Sequence, residues 1–111
     1  MRYAIASDGT QVAAHFGRCP EYLLVDIEDG AVVSRVVLPS PGHEPGLLPR
    51  LLAENGVHAV IAGGAGPRAV GLLGDLGIMT CLGACGPVED VVAELLAGTL
   101  ESGESACEHH A

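Results

Sequence analysis

The stretch that decides the fold is residues 57–74, VHAVIAGGAGPRAVGLLG. It begins with a short apolar run from Val57 to Ala62, continues through the glycine-rich segment Gly63 to Gly66, and then reaches a proline. Short apolar runs bounded by glycine are typical of buried strands, and proline is favoured at the first position of a helix. We therefore expect a buried strand, a tight turn, and a helix from Pro67 to Leu76.

Further strands and helices are predicted on both sides of this stretch, from apolar runs, helical spacing of leucines and valines, and turn residues. The predicted order is three strands, then helix, strand, helix, strand, helix. The other strands are expected at 3–7, 22–27, 31–38 and 78–82, and the other helices have leucines or valines at helical spacing within 47–52 and 88–96. Within the helix that starts at Pro67, we interpret Gly71 and Gly74 as allowing close packing against the sheet.

This order predicts an α/β domain with a mixed five-stranded sheet and helices on its faces. The second and third strands form a hairpin, and right-handed crossovers make the fourth and fifth strands parallel to the first. Loops that follow the first, third, fourth and fifth strands then emerge at one edge, where ligands of open α/β sheets bind. The loops concerned are residues 8–20, 39–46, 63–66 and 83–86.

Length and composition favour a single soluble, cytoplasmic domain. The chain has 111 residues, of which 49% are hydrophobic, enough for one packed core. No run of about 20 apolar residues could span a bilayer, and the first residues do not have the pattern of a signal peptide. We therefore expect no membrane partner.

The charge balance weighs against nucleic acid as a partner. Fourteen acidic and five basic residues give a formal net charge of -9, which repels a phosphate backbone. The aromatic residues are two tyrosines and one phenylalanine, too few for a platform on which bases stack. In a reducing compartment, the four cysteines are expected to be free thiols or metal ligands.

The segment from His15 to Pro20 combines an imidazole, a guanidinium and a thiol. These groups belong to His15, Arg18 and Cys19, and Gly17 lets the backbone approach a ligand closely. Two interpretations stay open from composition alone. Either the segment binds a ligand, or Phe16 fills the core, Gly17 makes a turn, and the polar groups are simply solvated.

The glycine-rich turn has the spacing Gly64-x-Gly66-x-x-Ala69, which formally fits a dinucleotide fingerprint. The match is weak, because it follows the fourth strand and the chain is too short for two mononucleotide-binding halves. We favour a tight turn that also receives an anionic ligand at the start of a helix, with Arg68 nearby.

Other thiols and imidazoles are candidate ligands. Cys85 lies in a glycine-flanked loop and is a better candidate than Cys81, which lies in an apolar strand. Near the end of the chain, Cys107, His109 and His110 supply soft or borderline ligands. The alternative for this segment is a polar, flexible tail over residues 101–111.

Several segments together resemble the dinitrogenase iron-molybdenum cofactor-binding and biosynthesis family. The most specific part is His15 to Arg18 combined with the turn Ala62 to Gly66. The other matching segments are 4–8, 22–26, Val60 to Ile61, Arg68, and 77–78 with the valine-rich helix that ends at 98–100. The resemblance covers residues 1–100 and implies a ribonuclease H-like sheet that binds an iron-sulfur or molybdenum-iron-sulfur cofactor without catalysis.

The resemblance leads to the hypothesis of a cluster carrier or chaperone whose partner is a metallocofactor assembly protein or acceptor. His15, Phe16 and Gly17 match the His-Phe-Gly segment of the family. The metal ligands would be His15 and Cys19 with Cys85, Cys107 or His109. The other residues that would bind the cofactor are Phe16, Gly17, Arg18, Gly63, Gly64, Gly66 and Arg68. Two alternatives remain: a small-molecule or nucleotide-binding enzyme that uses the glycine-rich turn, and an interaction module for a metalloenzyme.

Overall fold

The computed structural model describes residues 1–41 and 46–98, which form one sheet and three helices. The strands are β1 Arg2–Asp8, β2 Gln11–Val12, β3 Glu21–Glu28, β4 Ala31–Pro39, β5 Ala59–Ile61 and β6 Met79–Cys81. The helices are α1 Leu47–Glu54, α2 Pro67–Asp75 and α3 Val88–Ala97. None of these helices is long and apolar enough to cross a membrane. The predicted tail, residues 101–111, lies outside the described residues.

The sheet has the order β4-β3-β1-β5-β6. β3 is antiparallel to both β1 and β4, whereas β5 and β6 are parallel to β1. The register aligns Ile5 with Ile61, and Ile61 with Cys81, across the three parallel strands. The predicted mixed α/β architecture, with its hairpin and its parallel strands, is therefore confirmed.

The predicted count of five strands misses β2. This two-residue strand pairs with the end of β1, placing Val12 opposite Ser7 and Gln11 opposite Asp8. A segment so short has no hydrophobic periodicity, so the sequence pattern does not reveal it. This pairing holds the loop after β1 against the sheet.

The core lies on both faces of the sheet, because successive strand residues point to opposite sides. On one face α1 and α2 cover a cluster that includes Tyr22, Leu52 and Leu73, all with no exposed surface. On the other face α3 packs on a cluster that includes Ile5 and Ile61. Burying one such aliphatic side chain stabilises the fold by about 1.5–3 kcal/mol.

The ends of α2 and α3 have the residues expected there, whereas two glycines inside α2 do not have the predicted role. Pro67 begins α2, and Gly98 ends α3 with a left-handed φ of 72°. Gly71 and Gly74, however, are exposed, and a Cβ built on either would have no neighbouring group within 4 Å. The interpretation that these two glycines allow close packing against the sheet is therefore wrong.

Candidate functional site

Three loops meet where the carboxyl ends of β1, β5 and β6 emerge from the sheet. They are residues 9–20, 62–66 and 82–87, and we call them together the loop edge. The loop that follows β4 includes residues 42–45, which lie outside the described residues. Sequence reasoning predicted this edge as the ligand-binding region, and most of the predicted site residues are on it.

Main-chain hydrogen bonds join the first loop to the second. The N–H of Gly63 donates to the carbonyl oxygen of Ala13 at 2.9 Å, and the N–H of Phe16 donates to that of Gly64 at 2.8 Å. A Cβ at position 63 would lie 3.0 Å from both the Cα and the carbonyl oxygen of Ala14. Gly63 is therefore required for this contact, because a side chain would press on the backbone opposite.

The third loop is tied to the other two in the same way. The N–H of Gly83 donates to the carbonyl oxygen of Gly63 at 2.9 Å, and the N–H of Val12 donates to that of Gly86 at 2.9 Å. The N–H of Val88 then donates to the carbonyl oxygen of Thr10 at 2.8 Å. The loop edge is thus a frame built from backbone groups of three separate segments.

Tyr22 lies beneath the first loop and was not predicted as a site residue. Its hydroxyl accepts a hydrogen bond of 2.9 Å from the N–H of Gly17. Its ring meets that of Phe16 edge-on, with 5.6 Å between the centroids. Burial, and then a hydrogen bond with the Cys19 side chain, raise the pKa of Tyr22 above its usual range. The only signal in the sequence is a hydroxyl-bearing aromatic residue at the start of the strand after the loop.

Four predicted site residues present exposed side chains, namely His15, Arg18, Arg68 and Cys85. None of the four side chains has a hydrogen-bond or ion-pair partner among residues 1–41 and 46–98. The N–H of Arg18 donates to the carbonyl oxygen of His15 at 3.2 Å, which places their side chains on one tight turn. These imidazole, guanidinium and thiol groups are therefore free to meet a ligand.

The two remaining described thiols are less accessible. Cys19 is only 5% exposed and belongs to the same core cluster as Tyr22, so its side chain is part of the support beneath the loop. Cys81 is half-buried in β6, and burial raises the pKa of its thiol. Of the described cysteines, Cys85 is thus the one that offers an open thiol.

The predicted ligand set is brought together only in part. Across the described ranges, no group of three or more His, Cys, Asp and Glu side chains is arranged to hold a metal ion. Cys107, His109 and His110 lie outside the described residues. Among the predicted ligands that are described, His15 and Cys85 are the accessible donors at the loop edge.

The predicted glycine-rich anion site divides into two parts. Gly63 and Gly64 are explained by close packing on the first loop, since a Cβ at position 64 would also lie 3.2 Å from the Ala14 carbonyl oxygen. Gly66 has open space around it and immediately precedes α2, whose second residue is Arg68. The part of the turn that can face an anion is therefore Gly66 with the start of α2.

An open pocket of about 290 Å³ lies beside the loop edge. Thr10 and Val88 line it together with the acidic residues Glu21 and Glu89, of which Glu89 is paired with Arg35. A negatively charged ligand would be repelled there. The exposed turn with His15 and Arg18 has the better chemistry for an anion.

The dinitrogenase iron-molybdenum cofactor family model matches residues 1–98. The chain belongs to this family. It is 28% identical over 109 residues to an uncharacterized protein of Methanocaldococcus jannaschii, covering 94% of this chain and 92% of that one. The predicted family resemblance is thus confirmed.

Solved structures of similar chains have the same fold. The crystal structure of the protein PH0822 superposes with a TM-score of 0.87 at 32% identity, covering 97% of this chain and 99% of that chain. The apo form of the orange protein from Desulfovibrio gigas gives a TM-score of 0.76 at 23% identity, with 92% of each chain covered. The second likeness shows the fold alone.

Proposed function

We propose that the chain binds an iron-sulfur or molybdenum-iron-sulfur cluster and carries it during metallocofactor assembly, without catalysing a reaction. The observation that carries the proposal is the loop edge, where a main-chain frame leaves His15, Arg18 and Cys85 exposed and without side-chain partners among the described residues. Family membership over residues 1–98 supports this class of cofactor as the ligand of these exposed groups.

The exposed groups match what such a cluster needs. Imidazole and thiolate are borderline and soft ligands, so His15 and Cys85 suit iron and related metals. A sulfide-bridged cluster carries negative charge, which the guanidinium groups of Arg18 and Arg68 and the start of α2 can balance. Cys107 and His109 complete the predicted ligand set, while Cys19, being buried, ranks behind His15 and Cys85.

We propose transport rather than catalysis because of how few donors are accessible. The two open ligands of the described residues, His15 and Cys85, would leave most coordination positions of a cluster free for an acceptor. An enzyme would instead need a nucleophile hydrogen-bonded to a base that is oriented by a third group. His15 and Cys85 lie in different loops, and no hydrogen bond joins their side chains in the described part of the chain.

The proposal extends to fold class, location and partner. The central first strand, with a hairpin on one side and parallel strands on the other, supports the ribonuclease H-like assignment. Cys19, Cys81 and Cys85 are free thiols, which suits a reducing cytoplasm. The partner would be a metallocofactor assembly protein or acceptor, and neither nucleic acid nor a membrane enters the proposal.

Anaerobic reconstitution with iron, sulfide and molybdate tests the proposal. The parent should gain visible absorption and bound metal, whereas His15→Ala, Cys85→Ser and Arg18→Ala should bind about tenfold less tightly or more weakly still, through loss of a ligand or a charged partner. Matched controls are Cys81→Ala, which removes a half-buried thiol, and Arg50→Ala, which removes an exposed guanidinium from α1. Both controls should bind like the parent.

Two results would reject the proposal. One is a parent protein with neither bound metal nor visible absorption. The other is site variants that retain the cluster as well as the controls do. A parallel thermal-shift screen with phosphorylated ligands separates the nucleotide-binding alternative, because a cluster carrier should not be stabilised by nucleotide.

A further inference from the structure

The geometry points to Tyr22 as a positioning residue: its buried hydroxyl fixes the turn, residues 15–19, that presents His15 and Arg18 at the loop edge. The role in cluster binding rests on the proposed function. The role in holding the turn does not, because it can be measured without any ligand.

The hydroxyl contacts the residues on either side of Arg18. It accepts from the N–H of Gly17 at 2.9 Å, and the buried Cys19 side chain is close enough to raise its pKa. The turn is closed by the N–H of Arg18, which donates to the carbonyl oxygen of His15 at 3.2 Å. With both neighbours of Arg18 held inward, its own side chain is directed to solvent, where it is exposed.

Tyr22 is itself anchored near the start of β3, an inner strand of the sheet. It has no exposed surface and is paired with Ala6 of β1 on one side and Leu38 of β4 on the other. The edge-on contact with Phe16 fixes the loop at a second point. A hydroxyl on so rigid a support defines the turn far better than a flexible surface side chain could.

The backbone conformation of Gly17 brings its N–H within reach of the Tyr22 hydroxyl. Its φ of +91° lies in the left-handed region, where residues with a Cβ are strained. That conformation goes with an N–H that points down to Tyr22, where the phenol accepts it. A protonated phenol can also donate a hydrogen bond to the Cys19 sulfur, so one hydroxyl serves both contacts.

Burial raises the pKa of Tyr22, so the phenol stays protonated across the physiological pH range. The hydrogen bond with Cys19 acts in the same direction.

The test removes one hydroxyl and compares the result with the loss of the other tyrosine hydroxyl. Tyr22→Phe keeps the ring that packs on Phe16 but takes away the acceptor for Gly17. The control is Tyr3→Phe, whose hydroxyl is 3.4 Å from the Met1 sulfur near the amino end of β1. Hydrogen exchange is measured at the amide of Gly17 and at strand amides such as Val60, and cluster affinity is measured by anaerobic reconstitution.

In Tyr22→Phe, the Gly17 amide should exchange about tenfold faster than in the parent, beyond any change at the strand amides, because one buried hydrogen bond is lost. Cluster affinity should fall by a similar factor. Tyr3→Phe should change neither quantity. A purely structural role would instead accelerate exchange throughout the sheet, with no excess at Gly17.

Three outcomes are informative in different ways. The inference is overturned if the exchange rate at Gly17 rises no more than the exchange rates at the strand amides. So does a loosened turn that still holds the cluster as tightly as the parent. If the parent itself takes up no cluster, the proposed function fails, and the Gly17 exchange rate alone decides whether Tyr22 sets the turn.

Discussion

Arg2 lies at the amino end of β1 and Arg18 lies in the loop edge beyond its carboxyl end. The two arginine side chains differ in whether they have partners within the described part of the chain. The guanidinium of Arg2 binds both carboxylate oxygens of Asp26, at 2.7 and 2.9 Å, and also donates to the carbonyl oxygen of Asn55. The guanidinium of Arg18 has no partner among the described residues, although the backbone on both sides of it is tightly held.

The same contrast extends to the neighbouring groups. Near Arg2, the terminal amine of Met1 donates to the carbonyl oxygen of Ile27 at 2.8 Å, and the N–H of Arg2 donates to Nδ1 of His58 at 3.0 Å. At the loop edge, backbone groups make the connections, and the His15 side chain has no partner in the part of the chain that the structure describes. An edge held together by its main chain can thus keep its reactive side chains available for a ligand.

Gly63→Ala should break the loop edge most severely. The new Cβ would lie 3.0 Å from the backbone of Ala14, which cannot rotate away, so we expect a loss of about 1–3 kcal/mol in the free energy of unfolding. The control is Gly71→Ala in α2, where the Cβ meets open space and should add about 0.5–1 kcal/mol. Urea unfolding of both variants measures these changes.

If Gly63→Ala lowers the free energy of unfolding and Gly71→Ala raises it, the first and second loops are held by direct backbone contact. A Gly63→Ala protein as stable as Gly71→Ala would mean that the first and second loops do not depend on this contact.

These two glycines also show what the sequence can and cannot reveal. Strands, helices and the hairpin follow from apolar periodicity and turn residues, which is why the stretch around Gly63 predicted its own strand, turn and helix correctly. Whether a glycine faces backbone, as Gly63 does, or solvent, as Gly71 does, depends on contacts between distant segments. The pattern of a single chain does not carry that information.

The candidate site was predictable to a similar degree. Topology placed His15 and Cys85 at one edge, because parallel strands end on the same side. The burial of Cys19 and the role of the Tyr22 hydroxyl could not be read from spacing, since both arise from how the first loop folds back over β3. Residue type identified candidate ligands, and tertiary packing determined which of them are accessible.

The support beneath the loop edge should weaken at alkaline pH. Burial raises the pKa of Tyr22 in the folded protein, whereas a tyrosine in the unfolded chain has a pKa of about 10. The unfolded chain therefore releases the proton first, and the Tyr22 contribution falls by about 1.4 kcal/mol per pH unit above that value. Below about pH 9 this contribution is fully present.

Urea unfolding between pH 8 and pH 11, a range chosen to span the value of about 10 for an unfolded tyrosine, isolates this contribution by comparing the parent with Tyr22→Phe. The variant should lose stability less steeply as the pH rises. Tyr3→Phe, which retains Tyr22, should keep the steep fall. Equal slopes for the parent and Tyr22→Phe would contradict a protonated phenol buried beneath the loop.

The opposite edge should respond to acid instead. The hydrogen bond from Arg2 lowers the pKa of Asp26, so this contribution to stability is present above the unfolded value and lost as the pH falls through the folded pKa. Arg2→Met should lower stability at neutral pH and make its acid dependence shallower. Thermal unfolding from neutral to acidic pH measures both effects.

Arg35→Met is a useful comparison for Arg2→Met. It breaks the exposed pair in which Arg35 lies 2.7 Å from Glu89, a carboxyl whose pKa is also lowered by its hydrogen bond from the arginine. Because Arg2 additionally binds the Asn55 carbonyl, its replacement should cost more than that of Arg35. Equal losses would mean that the Asn55 contact adds nothing.

The smallest effects on stability are expected for the exposed side chains of the loop edge. Neither His15 nor Arg18 has a side-chain partner among residues 1–41 and 46–98, so His15→Ala and Arg18→Ala should change the free energy of unfolding by no more than about 0.5 kcal/mol. A loss in Arg18→Ala as large as that in Arg2→Met would remove the contrast between the two edges. If both variants instead unfold like the parent, any cluster binding they lose must come from missing contacts with the ligand, because the frame that carries these residues is still folded.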